Sequence, residues 1–187
     1  MDRSGYEELA RAESGPEIDR TPLTVMVILL ALAAIQLVHH YPNMPDVMAT
    51  HFGPSGQADA WTNKNMFFVT YGAIEVVIVA MAFFLAKFGS RLPAGALNIP
   101  NKDYWLDPER RAKSLRFVWG QILWLEAATL AFLLAVAEVV FRTNLSADPP
   151  ILPAPEFAIL LVVFIVVTGW LSLRILFHFR RPRDAGE

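Results

Sequence analysis

The sequence predicts an all-α integral membrane protein with four transmembrane helices, and three observations support that fold class. First, 55% of the 187 residues are hydrophobic and only 18% are charged, whereas a soluble domain has about 45–50% apolar and about 25% charged residues. Second, the apolar residues are gathered into four long runs, and the mean hydropathy is +0.39. Third, none of the 13 prolines lies inside a run. These features exclude an ordinary soluble globular domain.

Each run is long enough to cross a bilayer, which requires about 20 helical residues. The runs are Pro22–His39, Met66–Phe88, Leu115–Phe141 and Phe157–Phe177. Pro22 opens the first helix, where its missing N–H does no harm. A polar stretch rich in Glu and Asp precedes this run, and no small-residue cleavage site follows it. We therefore predict a retained helix rather than a cleaved signal peptide.

The distribution of basic residues predicts the orientation. All but two of the 16 Lys and Arg residues lie in the N-terminal tail, the second connection or the C-terminal end; the exceptions are Lys64 and Arg142. Because basic segments stay on the cytoplasmic side, both termini are predicted to be cytoplasmic. The predicted organisation begins with a polar cytoplasmic tail (1–21). Three transmembrane helices follow (22–141), joined by an outward loop (40–65) and a cytoplasmic elbow (89–114). A second outward loop (142–156) leads to a fourth transmembrane helix with a basic cytoplasmic tail (157–187).

The first connection, HHYPNMPDVMATHFGPSGQADAWTNK, is the most distinctive segment. Its prolines stiffen it, and Gly53 and Gly56 allow the chain to turn back tightly. We therefore expect His51, Asp59 and Lys64 to lie near one another in a structured extracytoplasmic loop.

Over residues 32–68 the chain resembles a family of unknown function that forms the N-terminal part of SdpI-type bacterial membrane immunity proteins. The positions that carry the resemblance are Tyr41, Pro42, Pro45, Asp46, His51, Phe52, Gly56, Asp59 and Lys64. Ala49 and Thr50 stand where the family commonly has a proline before the histidine. The resemblance implies a short stand-alone member in the bacterial inner membrane, with a non-enzymatic, immunity-like or envelope-sensing binding role.

On this interpretation the outward loop meets a peptide ligand or protein partner. The predicted binding residues are Asp46, His51, Gly56, Asp59 and Lys64. Two alternatives stay open for His51 and Asp59: with His39 and His40 they form a metal or acid–base site, or they organise the loop by hydrogen bonds while Lys64 pairs with Asp59 or Asp46. Their spacing matches no standard metal motif, so we predict no metal, no cofactor and no catalytic residue.

The cytoplasmic elbow contains a helix start and a basic cluster. Asp107 is predicted to cap a helix whose first residue is Pro108. The basic residues that follow are predicted to contact anionic lipid headgroups, each contributing about 1 kcal/mol near the surface; they are Arg110, Arg111, Lys113 and Arg116. The alternative is a docking motif for a protein partner.

Three carboxylates and one amide mark the interior of the spans: Glu75, Glu126, Glu138 and Gln121. A charged group inside a bilayer is costly, so each is a candidate functional residue. Glu75 and Glu126 are expected near the midplane, where they can meet, and Glu138 near the outer interface beneath the loop. Three roles stay open for these groups. They hold helices together through partners such as Gln36 or Tyr71, they move protons or ions, or they line a polar ligand site.

The function predicted from the sequence is therefore binding rather than catalysis, with membrane lipids as further partners. The alternative is an accessory structural subunit of a larger membrane complex, such as an energy-converting or secretion assembly. A membrane hydrolase that uses His51, Asp59 and Glu138 is a third hypothesis. The net charge of −2 argues against nucleic acid as a partner.

Overall fold

The computed structural model describes residues 19–91, 93, 98–146 and 149–180. The predicted tails at residues 1–18 and 181–187, and residues 92, 94–97 and 147–148 of the connections, lie outside the described residues. The elements are α1 (Thr21–His40), a 3-10 turn (Tyr41–Asn43), β1 (Val47–Phe52), β2 (Ala58–Asn63), α2 (Lys64–Phe88), a second 3-10 turn (Gly89–Arg91), α3 (Lys102–Trp105), α4 (Pro108–Ser146) and α5 (Ala154–His178).

Four of these helices, α1, α2, α4 and α5, are long and apolar enough to cross a membrane. The prediction of four spanning helices is confirmed to that extent, and the chain is a multi-pass membrane protein by helix length and composition. Helix α4 has 39 residues, which corresponds to a length of about 58 Å. It therefore extends well beyond a hydrocarbon core of about 30 Å.

The start of α4 follows from its sequence. The backbone N–H of Glu109 donates to the Asp107 carboxylate at 3.2 Å, and Pro108 is the first helical residue. Both features match the prediction of an aspartate cap followed by proline. The helix begins seven residues before the predicted apolar run at Leu115, because its polar first turns carry no hydropathy signal.

Helix α4 is the centre of the bundle and packs against α1, α2 and α5. A core of buried residues joins α1, α2 and α4, and it includes Met26, Val79, Ala82, Leu123 and Leu130. Helix α5 packs mainly against α4, and only 6% of its most apolar window is buried. Most of the α5 surface is therefore available to lipid or to a partner.

The connection between α1 and α2 contains two β-strands, which the all-α prediction did not include. Strands β1 and β2 pair antiparallel, with Val47 opposite Asn63 and Ala49 opposite Trp61. The register shifts between Ala49 and Phe52, where β1 contains an irregularity. We call the end of the bundle that carries residues 41–63 the hairpin end, and the end that carries residues 98–107 and Phe179 the elbow end.

Candidate functional site

Strand β1 is hydrogen-bonded to α4 through the side chain of Asn144. The N–H of Ala49 donates to Asn144 Oδ1 at 2.8 Å, and Asn144 Nδ2 donates to the Ala49 carbonyl at 3.1 Å. The amide thus pairs with a strand residue as a neighbouring strand would. Asn144 Nδ2 also donates to the Val140 carbonyl at 2.9 Å, which fixes the orientation of the amide.

The tip of the hairpin is held by the connection between α4 and α5. The Leu152 N–H donates to the Gly56 carbonyl at 2.8 Å, and Gln57 forms a β-bridge with Ile151. Gly56 has φ +79°, and a Cβ atom there would lie 3.0 Å from the Leu152 carbonyl oxygen. This position therefore requires glycine both for its backbone conformation and for the close approach of a second chain segment.

The inner face of the hairpin is buried on aromatic side chains. Met48 is fully buried and belongs to a cluster with Met44, Phe68 and Phe141. The Phe141 ring stacks on Phe68 at 5.3 Å and on His40 at 4.6 Å between ring centroids. The hairpin therefore sits on a packed base and is fixed at three places: its inner face, strand β1 and its tip.

The opposite face of the hairpin is partly exposed, although Ala49 on that face is buried. Residues directly opposite one another in an antiparallel pair share a face, and successive residues alternate between faces. Val47 and Trp61 therefore lie on the face away from Met48, and they are 59% and 52% exposed. A valine and a tryptophan of this exposure give the surface an apolar centre.

The predicted contact between His51 and Asp59 is present on this exposed part of the hairpin. His51 Nδ1 lies 2.5 Å from Asp59 Oδ1, and the two side chains are 69% and 53% exposed. Exposed ion pairs of this kind contribute little to stability, about 0–1 kcal/mol. In the part of the chain that the structure describes, no group of three or more His, Cys, Asp or Glu side chains is arranged to hold a metal ion. The role of the pair in organising the loop stays a prediction.

Lys64 contacts Asp46 and not Asp59, so one of the two predicted pairings occurs. Its Nζ donates to the Met44 carbonyl at 3.2 Å and lies 3.7 Å from Asp46 Oδ1. It also lies 5.0 Å from the centre of the Tyr41 ring. The Lys64 side chain is only 17% exposed, whereas that of Asp46 is 96% exposed. The lysine therefore stabilises the start of α2, and the aspartate presents a carboxylate to solvent.

Glu138 lies beneath the hairpin, as predicted, and connects three helices. Its Oε2 accepts a hydrogen bond from Gln36 Nε2 at 2.9 Å and lies 3.0 Å from His40 Nε2. Its Oε1 lies 3.8 Å from Arg142 Nε. Arg142 in turn donates to Glu156 Oε2 on α5 at 2.8 Å. The sequence contained no signal for the roles of Arg142 and Glu156, because they are 14 residues apart and on different helices.

Glu75 and Glu126 lie at different depths. The Phe68–Phe141 stack at one end and the contact between Gly89 and Trp119 at the other set the register of α2 on α4. That register places Glu75 nearly level with Leu133, to whose carbonyl the neighbouring Tyr71 hydroxyl donates at 3.4 Å. Glu126 lies seven residues before Leu133 in α4, toward the elbow end, which corresponds to roughly 10 Å along the helix axis.

In this register Glu75 and Glu126, which the sequence allows to meet near the midplane, form no hydrogen bond with each other. Glu75 is almost fully buried, and its Oε1 lacks a hydrogen-bond partner among the described residues. The same holds within those ranges for Gln121 Oε1 and Glu126 Oε2. Of the partners predicted for these groups, the Tyr71 hydroxyl donates to the Leu133 carbonyl.

The elbow end is closed by side chains that cap α5. Asn101 Nδ2 and Trp105 Nε1 both donate to the Phe179 carbonyl, at 2.9 and 3.1 Å. Ser114 Oγ donates to the Trp105 carbonyl at 2.8 Å and ties the elbow to α4. Asn101 has φ 53°, a left-handed conformation that asparagine tolerates better than most residues. Trp105 is thus partly buried against the protein.

The basic residues of the elbow divide into two groups. Arg110 Nε donates to the Tyr104 carbonyl at 3.0 Å, and its guanidinium lies 4.1 Å from the centre of the Tyr104 ring. Lys113 and Arg116 are exposed on α4, and Arg111 is partly exposed. Contact with lipid headgroups stays a prediction for these four residues, but Arg110 also has a structural role.

These features define a class: a four-helix, multi-pass membrane protein with a β-hairpin fixed across one end of the bundle. Within it, residues 27–74 match a family described as "Domain of unknown function (DUF1648)". The matched segment is 48 of the 187 residues and includes most of α1, the hairpin and the first part of α2. This supports the similarity to a family of unknown function. No curated protein and no solved structure matches the chain.

Proposed function

We propose that this chain is a non-enzymatic membrane protein that binds a peptide or protein partner through the hairpin end, in an immunity-like or envelope-sensing role. One observation carries the proposal. The hairpin is fixed by Asn144 and by the contact of Gly56 with Leu152, yet its apolar centre of Val47 and Trp61 is exposed. A surface that is already ordered loses little conformational entropy when a partner binds.

The exposed side chains indicate the chemistry of the partner. Tryptophan is enriched among the residues that contribute most to binding at protein interfaces. The exposed charged groups of the hairpin end include the carboxylates of Asp46 and Asp59, whereas Lys64 is largely covered. A partner with an apolar side chain beside Lys or Arg residues is complementary to this surface.

The proposal places the hairpin end outside the cytoplasmic membrane of a bacterium and both chain termini inside. The support is the charge distribution: all but two Lys and Arg residues belong to the termini or to the second connection. The two exceptions, Lys64 and Arg142, are both engaged in contacts at the hairpin end. Accessibility of a single cysteine at position 61 or 102 to a membrane-impermeant maleimide tests this orientation, because only position 61 should react in intact cells.

Site-specific cross-linking in native membranes tests the binding role. A photoreactive amino acid at position 61 is expected to capture a polypeptide, and the capture should fall when Asp46 and Asp59 are both replaced by Asn. The same probe at Lys102, on the elbow end, is the matched control. Equal labelling at the two positions, or no polypeptide at position 61 in membranes of the native host, would contradict the proposal.

The alternative, an accessory subunit of a larger membrane complex, is favoured by the open surface of α5. Val163 is one of many large hydrophobic residues exposed along this helix. A probe at position 163 distinguishes the two functions, because a subunit held in a complex would cross-link there to a protein at constant stoichiometry. Labelling of lipid alone at position 163, with a polypeptide at position 61, supports the binding role. Extraction in mild detergent followed by mass spectrometry identifies the captured chain.

A further inference from the structure

A groove of about 360 Å³ opens between α4 and α5 at the hairpin end. Its volume is at the lower end of the range of about 300–1,000 Å³ for ligand pockets. The mouth carries three charged side chains, Glu138, Arg142 and Glu156. The remaining lining is apolar and consists of Ala135, Val139, Ile159 and Leu160. The groove therefore combines a charged mouth with apolar walls that lie one helical turn further into the span.

The mouth has unused hydrogen-bonding capacity for a cation. The hydrogen bonds from Gln36 and Arg142 reach Oε2 of Glu138 and Oε2 of Glu156, respectively. Each carboxylate keeps its Oε1 without a hydrogen-bond donor among the described residues. Two carboxylates share one guanidinium, so Glu138, Arg142 and Glu156 together carry one excess negative charge; the His40 ring also contacts Glu138, with Nε2 3.0 Å from Oε2. A primary ammonium group has three N–H donors to offer such oxygens, whereas a quaternary ammonium has none.

The mouth also has capacity for an anion beside that cation. Arg142 makes one hydrogen bond, to Glu156, and a longer contact of 3.8 Å to Glu138. A guanidinium has five N–H donors and binds phosphate in a bidentate manner. The same mouth can therefore hold an ammonium and a phosphate next to each other, and the apolar walls continue in the direction of a lipid chain.

We propose that this groove is a binding site for a phospholipid with a primary-amine headgroup, the chemistry of phosphatidylethanolamine. The ammonium lies between Glu138 and Glu156, the phosphate contacts Arg142, and the upper part of an acyl chain lies along Ala135 and Ile159. The site is distinct from the exposed face of the hairpin, so the inference does not depend on the proposed partner. Anionic lipid without an amine is disfavoured by the excess negative charge.

Native mass spectrometry of the full-length protein in detergent tests the site. The protein is exposed to equal amounts of phosphatidylethanolamine, phosphatidylcholine and phosphatidylglycerol of identical acyl composition. Phosphatidylethanolamine is expected to be retained about tenfold over phosphatidylcholine, the ratio that one charge-assisted hydrogen bond provides. Glu156→Gln keeps the shape of the mouth and should abolish the preference, whereas Glu109→Gln at the elbow end should not.

A steric variant tests the walls without changing any charge. Ala135→Leu places a larger side chain in the groove and is expected to reduce retained lipid at least fivefold, since its volume displaces the acyl chain. Ala131→Leu, one turn away at an exposed position, is the matched control. Circular dichroism of each variant confirms that the helices are intact.

Loss of the preference in Glu156→Gln together with loss of binding in Ala135→Leu establishes the site. Equal retention of the three lipids by the native protein overturns it, and so does a preference that survives Glu156→Gln or undiminished lipid retention by Ala135→Leu. A co-purified peptide mass that replaces the lipid overturns it as well and assigns the groove to a polypeptide.

Discussion

At both ends of the bundle, side chains form hydrogen bonds with backbone groups of a distant segment, but only one end keeps an exposed apolar face. At the hairpin end, the Asn144 amide pairs with the backbone of a distant strand. At the elbow end, Asn101 and Trp105 donate to the carbonyl of Phe179, the residue that follows α5. In each case a side chain satisfies backbone groups that would otherwise lack partners. The hairpin end does so while leaving an exposed apolar and acidic face, whereas the elbow end turns its aromatic residues inward.

The inward packing of the elbow end is visible around His178. Its ring stacks on Phe117 with a centroid distance of 3.8 Å, and on Trp105 at 5.4 Å. Phe179 is fully buried and packs with Ile99. Both ends are therefore well packed, so an ordered backbone alone does not identify a binding surface. An ordered segment that keeps its large side chains exposed, as the hairpin does at Trp61, is the better candidate.

The largest expected effect comes from removing the aromatic base of the hairpin. Phe141→Ala leaves a cavity beneath Met48 and should lower the free energy of unfolding by about 3–5 kcal/mol. Phe179→Ala should have a similar cost at the elbow end. Limited proteolysis separates them, because only Phe141→Ala should expose the hairpin to cleavage. Equal cleavage of the hairpin in both variants would show that the two ends are not independent.

A smaller effect is expected at the junction of α2 with the elbow side of the bundle. A Cβ atom on Gly89 would lie 2.8 Å from the Trp119 ring, so Gly89→Ala should destabilise the fold by about 1–3 kcal/mol through overpacking. Gly120→Ala is the control, since nothing lies within 4 Å of its Cβ position. That substitution should stabilise the helix by about 0.5–1 kcal/mol. Unfolding in mixed micelles measures both, and a Gly89→Ala protein as stable as the native one contradicts the packing.

Asn144 and Asn101, whose side chains bond to backbone groups at the two ends of the bundle, give variants of intermediate effect. Asn144→Ala leaves both polar groups of Ala49 unpaired and should cost about 1–3 kcal/mol. Asn101→Gly preserves the left-handed backbone, and Phe179 O keeps the hydrogen bond from Trp105, so its cost should stay below about 1 kcal/mol.

Amide hydrogen exchange reports locally on the hydrogen bonds made by Asn144 and Asn101. The N–H of Ala49 should exchange faster in Asn144→Ala and at the native rate in Asn101→Gly. Unchanged exchange at Ala49 in Asn144→Ala would mean that the inner-face packing alone holds strand β1.

The smallest effect is expected from the exposed pair on the hairpin. His51→Ala removes a contact worth about 0–1 kcal/mol, so the unfolding free energy should hardly change. In the partner cross-linking experiment the same variant is informative, since it alters the exposed surface without altering its support. A loss of stability above about 1 kcal/mol would show that the pair holds the hairpin together.

Local sequence patterns are sufficient to predict the helices and some short-range contacts of this protein. The hydropathy runs predict the four spanning helices, and Asp107–Pro108 predicts where α4 begins. The contact of His51 with Asp59 is also predictable, because the two residues are eight apart and joined by a tight turn. In such cases the residue types and a short loop are sufficient to bring the groups together. For Lys64 the sequence narrows the partner only to Asp46 or Asp59.

The remaining features depend on contacts between distant segments. Asn144 lies 95 residues from Ala49, and an asparagine near a helix end carries no local sign of its partner. The two strands were missed because six-residue strands with mixed polarity have no strong alternation. The separation of Glu75 from Glu126 follows from the register that Phe68 and Phe141 impose, which no single-segment pattern contains.

Helix α4 has a mechanical consequence. It contains no proline after Pro108, and it is bonded to the elbow through Ser114 and to the hairpin through Asn144. The two attachment points are 30 residues apart on one continuous helix, a distance of about 45 Å. A force applied to the hairpin is therefore transmitted along a single stiff rod to the far side of the bundle.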